Sequence, residues 1–189
     1  MKNLVIIGAG KIAEEIYLYL KGDSDYIVAG FSAEKSFINK ESLFGLPVVS
    51  FESLTETFPK DNFNLLTAMG YQDVNRLRTR LYLEGKSLGY NFVSYVSSSV
   101  KNINDLQIGE NCIVLENNTI NNTAKIGNNV VLWCGNHVGH HSIVEDNCFL
   151  AGGCAVSGIT EIGKNTFVGV NATIGHQLRI GENNIIGAG

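Results

Sequence analysis

The spacing of apolar residues changes character near residue 100 of this 189-residue chain. Before that point, short apolar runs alternate with segments of helical spacing. Residues 4–7 read as a buried strand, and 11–21 place Ile12, Ile16 and Leu20 on one helical face with Gly22 as a stop. Residues 26–31 and 47–49 read as strands, 50–54 can open a helix, 64–69 form another strand, 73–88 a helix, and 92–95 a last strand. Strand–helix alternation of this kind predicts a small parallel sheet covered by helices. Ninety-odd residues are short for a full dinucleotide fold, so a half-Rossmann α/β domain over 1–98 is expected.

From residue 105 onward the period is six. Ile108, Val114, Ile120, Ile126, Leu132, Val138, Val144, Leu150, Val156, Ile162, Val168, Ile174, Ile180 and Ile186 are aliphatic without a slip. Two places earlier stand mostly compact residues: Cys112, Asn118, Ala124, Val130, Asn136, Ser142, Cys148, Cys154, Thr160, Thr166 and Ala172. Glycine often follows the aliphatic, as at Gly109, Gly139 and Gly163, where a tight turn would need permissive backbone. A six-residue repeat is neither helical nor a simple strand. It predicts a parallel β-helix over 99–189 with three flat faces, one strand and one corner per hexad. Three hexads close a coil, so position n stacks on n+18 at the usual strand spacing of about 4.8 Å.

Composition narrows the function. The chain has 14 Lys and Arg against 18 Asp and Glu, for a net charge of −4. Without a basic run, nucleic acid and anionic membrane are poor partners. No apolar stretch reaches the roughly 18–20 residues that span a bilayer, so no membrane insertion is expected. The N-terminus Met1-Lys2-Asn3-Leu4-Val5-Ile6-Ile7-Gly8 has too short an apolar core for a signal peptide. The 4 cysteines show no metal or disulfide spacing, and Cys112, Cys148 and Cys154 fall at the compact interior position. A reducing, cytoplasmic setting is the expectation. Asn118 and Asn136, one coil apart, suggest an internal amide stack. Tyr71 with Arg76, Arg78 and Arg80 reads as a solvated helix face.

The hexad pattern resembles the hexapeptide-repeat acyltransferases, which fold as left-handed β-helices. Together with Gly8-Ala9-Gly10-Lys11-Ile12-Ala13-Glu14, Ala29-Gly30-Phe31 and Gly45-Leu46-Pro47-Val48, it is similar to the sialic-acid O-acetyltransferase-type sugar acyltransferases. These include bacterial N-acetyltransferases of nucleotide-linked 4-amino-sugars, used for surface glycans such as lipopolysaccharide. The resemblance implies that the small domain holds a UDP- or TDP-linked sugar and that the β-helix forms a homotrimer binding acetyl-CoA between neighbours. Relatives continue through further hexads past the position of Gly189, so the last coil is expected to be truncated or covered by another element.

Acyl transfer to an amine needs a base, an oxyanion donor and a groove. His137, His140, His141 and His176 are the base candidates, because imidazole titrates near neutral pH. His140 is the third residue of its hexad, and adding 18 gives Gly158 and then His176, one column on one face. In the family, the His of a Val-x-His motif corresponds to His140 in Val138-Gly139-His140 and acts as general base. The glycine one coil on, Gly158, offers its N–H to the thioester carbonyl, and His176 can line the CoA groove. His141 is the next candidate for the base. Relatives place an acid near the base; Gly139 and His141 flank it here, which leaves Glu116 or Asn136 as substitutes. Asn117, just over one coil before His140, can touch the sugar. The Gly8-x-Gly10-x-x-Ala13 turn can receive the diphosphate at a helix N-terminus, aided by Lys11. By resemblance, Glu34 meets the base or ribose. Three other readings compete: O-acetylation of a sugar hydroxyl, a γ-carbonic-anhydrase-like zinc protein using His137, His140 and His141, and a scaffold that binds no CoA.

Overall fold

The computed structural model describes residues 2–100 and 106–189, so Met1 and 101–105 lie outside the described residues. The chain divides into two compact units. One comprises Met1–Gly70 and Arg80–Val93, the other Tyr71–Thr79 and Ser94–Gly189.

The first unit is built on β1 (Lys2–Ile7), α1 (Lys11–Asp23), β2 (Tyr26–Ala33), β3 (Ser42–Leu43), β4 (Leu46–Ser50), α2 (Leu54–Thr57) and β5 (Asn64–Thr67). The sheet order is β3-β4-β2-β1-β5, parallel throughout except for β3 against β4. Leu4, Val5, Ile6 and Ile7 are fully buried, as a central parallel strand covered on both faces requires. Helix α1 runs past Gly22 to Asp23 instead of stopping there. Gly22 keeps helical backbone, and the Ser24 hydroxyl takes the Leu20 carbonyl at 2.7 Å, which supplies the real stop. Ser50 caps the turn at Phe51–Ser53 by accepting the Ser53 N–H at 3.2 Å.

The expected helix over 73–88 begins only at α3 (Arg76–Ser87), because Asp73, Val74 and Asn75 all have left-handed backbone, φ 49–64°. The expected strand at 92–95 splits. Phe92 makes a single bridge to Leu65, whereas β6 (Tyr95–Val96) pairs with Ile113–Val114 and forms the first rung of the second unit.

That unit is a parallel β-helix of two-residue strands, from β7 (Gln107–Ile108) to β20 (Ile185–Ile186), one every six residues. It fits the left-handed, three-faced prism expected from the repeat. One face stacks Ile108, Ile126, Val144, Ile162 and Ile180, a second Val96, Val114, Leu132, Leu150, Val168 and Ile186, and a third Ile120, Val138, Val156 and Ile174. The n+18 register holds throughout. All eleven compact positions from Cys112 to Ala172 are buried with the aliphatics. Each buried aliphatic contributes about 1.5–3 kcal/mol, so the stack is a continuous core.

Asn118 and Asn136 are indeed internal, but their carbonyl oxygens accept backbone N–H groups of the next coil instead of stacking on each other. Asn136 N–H donates to Asn118 Oδ1 at 3.1 Å and Cys154 N–H to Asn136 Oδ1 at 2.8 Å.

The glycines after the aliphatics serve a different purpose from the one expected. None of them has left-handed backbone; that conformation falls two residues later, at Asn111, Asn117, Asn129, Asn147, Asn165, Asn171 and Asn183, at His141, Ile159 and Gln177, and at Gly135 and Gly153. Gly109 and Gly163 are bare because a side chain there would lie 2.7 Å from the backbone of the next coil. The surface reading holds for Tyr71, which is exposed, and is corrected for Arg78. Tyr71 stacks on Phe167 at 4.0 Å, and Arg78 is buried, its guanidinium donating to the Asn111 carbonyl at 2.9 Å. Burial lowers the Arg78 pKa to about 10. Arg76 and Arg80 do face solvent.

Candidate active site

The corners of the prism carry the candidate histidines. After each aliphatic the chain turns through three residues, and the third donates its N–H one coil back, as Ile159 does to the His140 carbonyl at 2.8 Å and Gln177 to that of Gly158 at 3.2 Å. This ladder stacks His140, Gly158 and His176 into one column. The imidazole of His140 lies directly against Gly158. A Cβ on that glycine would sit 2.5 Å from His140 Nε2 and 2.7 Å from Cε1, so only glycine leaves the ring its place. A Cβ on Gly139 would sit 2.5 Å from the Gly158 amide nitrogen. Two bare residues therefore surround that N–H, which donates to no backbone carbonyl among the described residues. The His176 ring centroid is 6.1 Å from that of His140.

The other edge of the His140 ring meets His141, with Nδ1 to Nδ1 at 3.2 Å. Thr123, one coil earlier, accepts the His141 N–H on Oγ1 at 3.0 Å. The sequence offers His141 as a second base or a zinc ligand, and gives Thr123 no role. The signal was an 18-residue offset from Thr123 to His141, read for the glycine but not for the hydroxyl. Neither expected substitute reaches the ring. The Asn136 amide points into the prism, and Glu116 stands at the corner after Val114, across the width of a face. Among the described residues no group of three His, Cys, Asp or Glu side chains could hold a metal ion.

Asn117 stands at that same far corner and not in the histidine column. Its N–H donates to Ser99 Oγ at 3.1 Å. A cavity of about 440 Å³ crosses the face from Ser99 and Asn117 through Thr119 to Asn121 and Asn122, and Asn122 is one coil before His140. The side chains lining it are hydroxyls, amides and one isoleucine, with no charge.

In the first unit, Gly8 links β1 to α1 with φ 128°, and a side chain there would fall on the Ala68 carbonyl. Gly10 precedes α1 without a side-chain cap and opens to free space, leaving the helix N–H groups accessible to an anion. Lys11 is exposed, its amine 2.8 Å from Glu14 Oε2. The Glu34 carboxylate, just after β2, is bound by Arg80 at 2.8 Å. That hydrogen bond, with a second that Arg80 donates to Glu84, raises the Arg80 pKa.

The cysteines are structural. Burial pushes the Cys112 thiol up to about 11 and that of Cys148 to about 12, while Cys134 alone is half-exposed.

Residues 159–189 match the family of bacterial transferase hexapeptide (six repeats) proteins. A search of curated proteins finds no match. Among solved structures, a histidine-to-asparagine variant of perosamine N-acetyltransferase from Caulobacter crescentus, in complex with CoA and GDP-perosamine, aligns with a TM-score of 0.87 at 26% identity, covering 100% of this chain and 87% of that one. By this likeness the chain is an acyltransferase built on the left-handed β-helix fold. Two further structures share the fold of this acyltransferase at lower identity. The acetyltransferase domain of PglB from Neisseria gonorrhoeae aligns with a TM-score of 0.84 at 21% identity, covering 100% of this chain and 90% of that domain. WeeI from Acinetobacter baumannii gives 0.82 at 19%, with the same coverage of both chains. No helix among the described residues of the acyltransferase is long and apolar enough to cross a membrane.

Proposed function

We propose that this chain transfers the acetyl group of acetyl-CoA to the amino group of a nucleotide-linked amino-sugar, in the class of 4-amino-sugars used for bacterial surface glycans. The observation that carries the reading is the His140 imidazole set against Gly158. His140 Nε2 takes a proton from the amine as its nitrogen attacks the thioester carbon. The Gly158 N–H donates to the carbonyl oxygen as it gains charge, a contribution of about 10²–10³ in rate for a single such donor. The tetrahedral intermediate collapses with cleavage of the C–S bond, and the proton on His140 passes to the leaving thiolate. The products are the N-acetyl sugar and CoA thiol. The amine attacks the thioester directly in this reading, without a covalent acyl-enzyme, and burial keeps the Cys112 and Cys148 thiols out of the chemistry.

The uncharged cavity beginning at Asn117 suits a sugar ring, whose hydroxyls exchange hydrogen bonds with amides and hydroxyls. The turn at Gly8 and Gly10, with Lys11, receives the diphosphate, and Glu34 meets the ribose or base with its geometry fixed by Arg80. His176 borders the thioester end of CoA. A homotrimer belongs to this reading, since a groove between two prisms buries a long ligand better than one flat face. The setting is cytoplasmic, where acetyl-CoA is made.

The test is a panel of UDP-, TDP- and GDP-linked 4-amino-sugars, with the matching 4-hydroxy-sugars, each incubated with acetyl-CoA while free thiol is followed. Thiol release with amino-sugars alone is expected. Equal release with hydroxy-sugars would make the enzyme an O-acetyltransferase, and none with any nucleotide-sugar would overturn the reading.

A further inference from the structure

We propose that His141 is a positioning residue that fixes the tautomer of His140, with Thr123 anchoring it, so that the general base is one half of a histidine–histidine pair. The inference rests on the reading of His140 as the base.

Two ring nitrogens 3.2 Å apart, His140 Nδ1 and His141 Nδ1, can share only one proton. For Nε2 of His140 to accept a proton, its Nδ1 must carry the hydrogen and donate it. His141 Nδ1 is then the acceptor, and the proton of the His141 ring resides on its Nε2. The rings meet nearly perpendicular, at 82°, which turns one Nδ1 edge toward the other. Thr123 Oγ1 accepts the His141 N–H at 3.0 Å and lies 3.4 Å from Nδ1 of the same residue, so its hydroxyl proton favours the same assignment. The opposite tautomer would place a hydrogen on His140 Nε2 and leave no base facing the thioester.

The backbone does not ask for histidine at position 141. Its φ is 58°, and the matching corners hold asparagine at seven positions, glycine at Gly135 and Gly153, and Ile159 and Gln177 in its own column. Asparagine and glycine are the residues that tolerate this conformation at least cost. An imidazole in this place therefore satisfies the neighbouring ring and not the turn. The other titratable group facing His140 is His176, one coil beyond Gly158; Thr123, Gly158 and Ile159 bring none. The pair thus differs from an imidazole oriented by a carboxylate. A neutral partner holds the tautomer and accepts a charge-assisted hydrogen bond from the imidazolium, without adding a negative charge that favours protonation before the reaction begins.

The test compares His141→Gly, His141→Asn and His141→Glu with the unaltered enzyme and with His140→Ala. Glycine and asparagine already occupy equivalent corners, and Gln177 shows that a longer side chain fits one at φ 57°, so all three variants keep the turn. For His141→Gly, kcat is expected to fall about 10–100-fold, the usual range for losing an orienting partner, with KM for both substrates unchanged. His141→Asn restores part of the loss through its acceptor Oδ1. His141→Glu restores activity but moves the acid limb of kcat/KM to higher pH, because a carboxylate favours the protonated ring, which cannot act as base. Unchanged kcat in His141→Gly, or an unmoved acid limb in His141→Glu, would overturn the pair. If His140→Ala itself remains active, the reading of His140 as base fails instead, and the two failures are told apart.

Discussion

Two corners of the β-helix use one backbone for opposite ends. In the column Asn111–Asn129–Asn147, each amide nitrogen donates to the next carbonyl oxygen at 2.8 Å, and Asn129 is fully buried. The left-handed turn there is filled by residues that suit it and that satisfy one another. In the column His141–Ile159–Gln177, the same left-handed turn recurs without an amide ladder. Ile159 is a β-branched residue at φ 55° with 47% exposure. Non-glycine, non-asparagine residues in left-handed backbone collect on the second column, beside Gly158. Departures from the most economical corner thus point to the site more directly than the repeat does.

The comparison can be broken in several ways. Gly158→Ala should have the largest effect. Its methyl would fall 2.5 Å from His140 Nε2, so the exposed ring swings aside and turnover drops about 10²–10³-fold. The melting temperature should change little, and a steady-state assay paired with a thermal melt checks both. Asn129→Ala tests the structural column. It removes both ladder bonds and puts alanine at φ 57°, so a loss of about 2–4 kcal/mol is expected in chemical denaturation, with activity of the folded enzyme retained. Asn129→Gly should lose less, since the turn itself is then free of strain.

Ile159→Asn should move stability the other way, by about 0.5–1 kcal/mol in favour of the fold; a loss in the same measurement would show that the exposed isoleucine is supported by packing. The smallest effect concerns thiols. With Cys112 and Cys148 pushed up to about 11 and 12 by burial, their reactive thiolate forms only above that pH. Iodoacetamide at pH 7.5 should therefore modify only half-exposed Cys134 in the native protein and all 4 cysteines after denaturation.

The prism was legible because every coil faces the same steric problem, so one residue type recurs at one offset fourteen times. The His140–Gly158–His176 column followed from that arithmetic alone. What stayed hidden depended on partners outside the repeat. Gly22 does not end α1, since the Ser24 hydroxyl does. Arg78 has the sequence signature of a solvated helix residue yet is buried against the Asn111 carbonyl. The role of glycine after each aliphatic was misread because sequence shows the need for a missing Cβ without saying whether φ or the next coil demands it. The expected partners of His140 were Glu116 and Asn136, whereas the ring that meets its Nδ1 is that of His141, bonded in turn to a threonine one coil away.

The most direct measurement is single-turnover acetyl transfer by His140→Ala with acetyl-CoA and the best amino-sugar of the panel, alongside CoA affinity by calorimetry. Loss of the base predicts a rate lower by about 10²–10⁴ with CoA affinity intact. A rate close to that of the unaltered enzyme, with CoA still bound, would contradict the account.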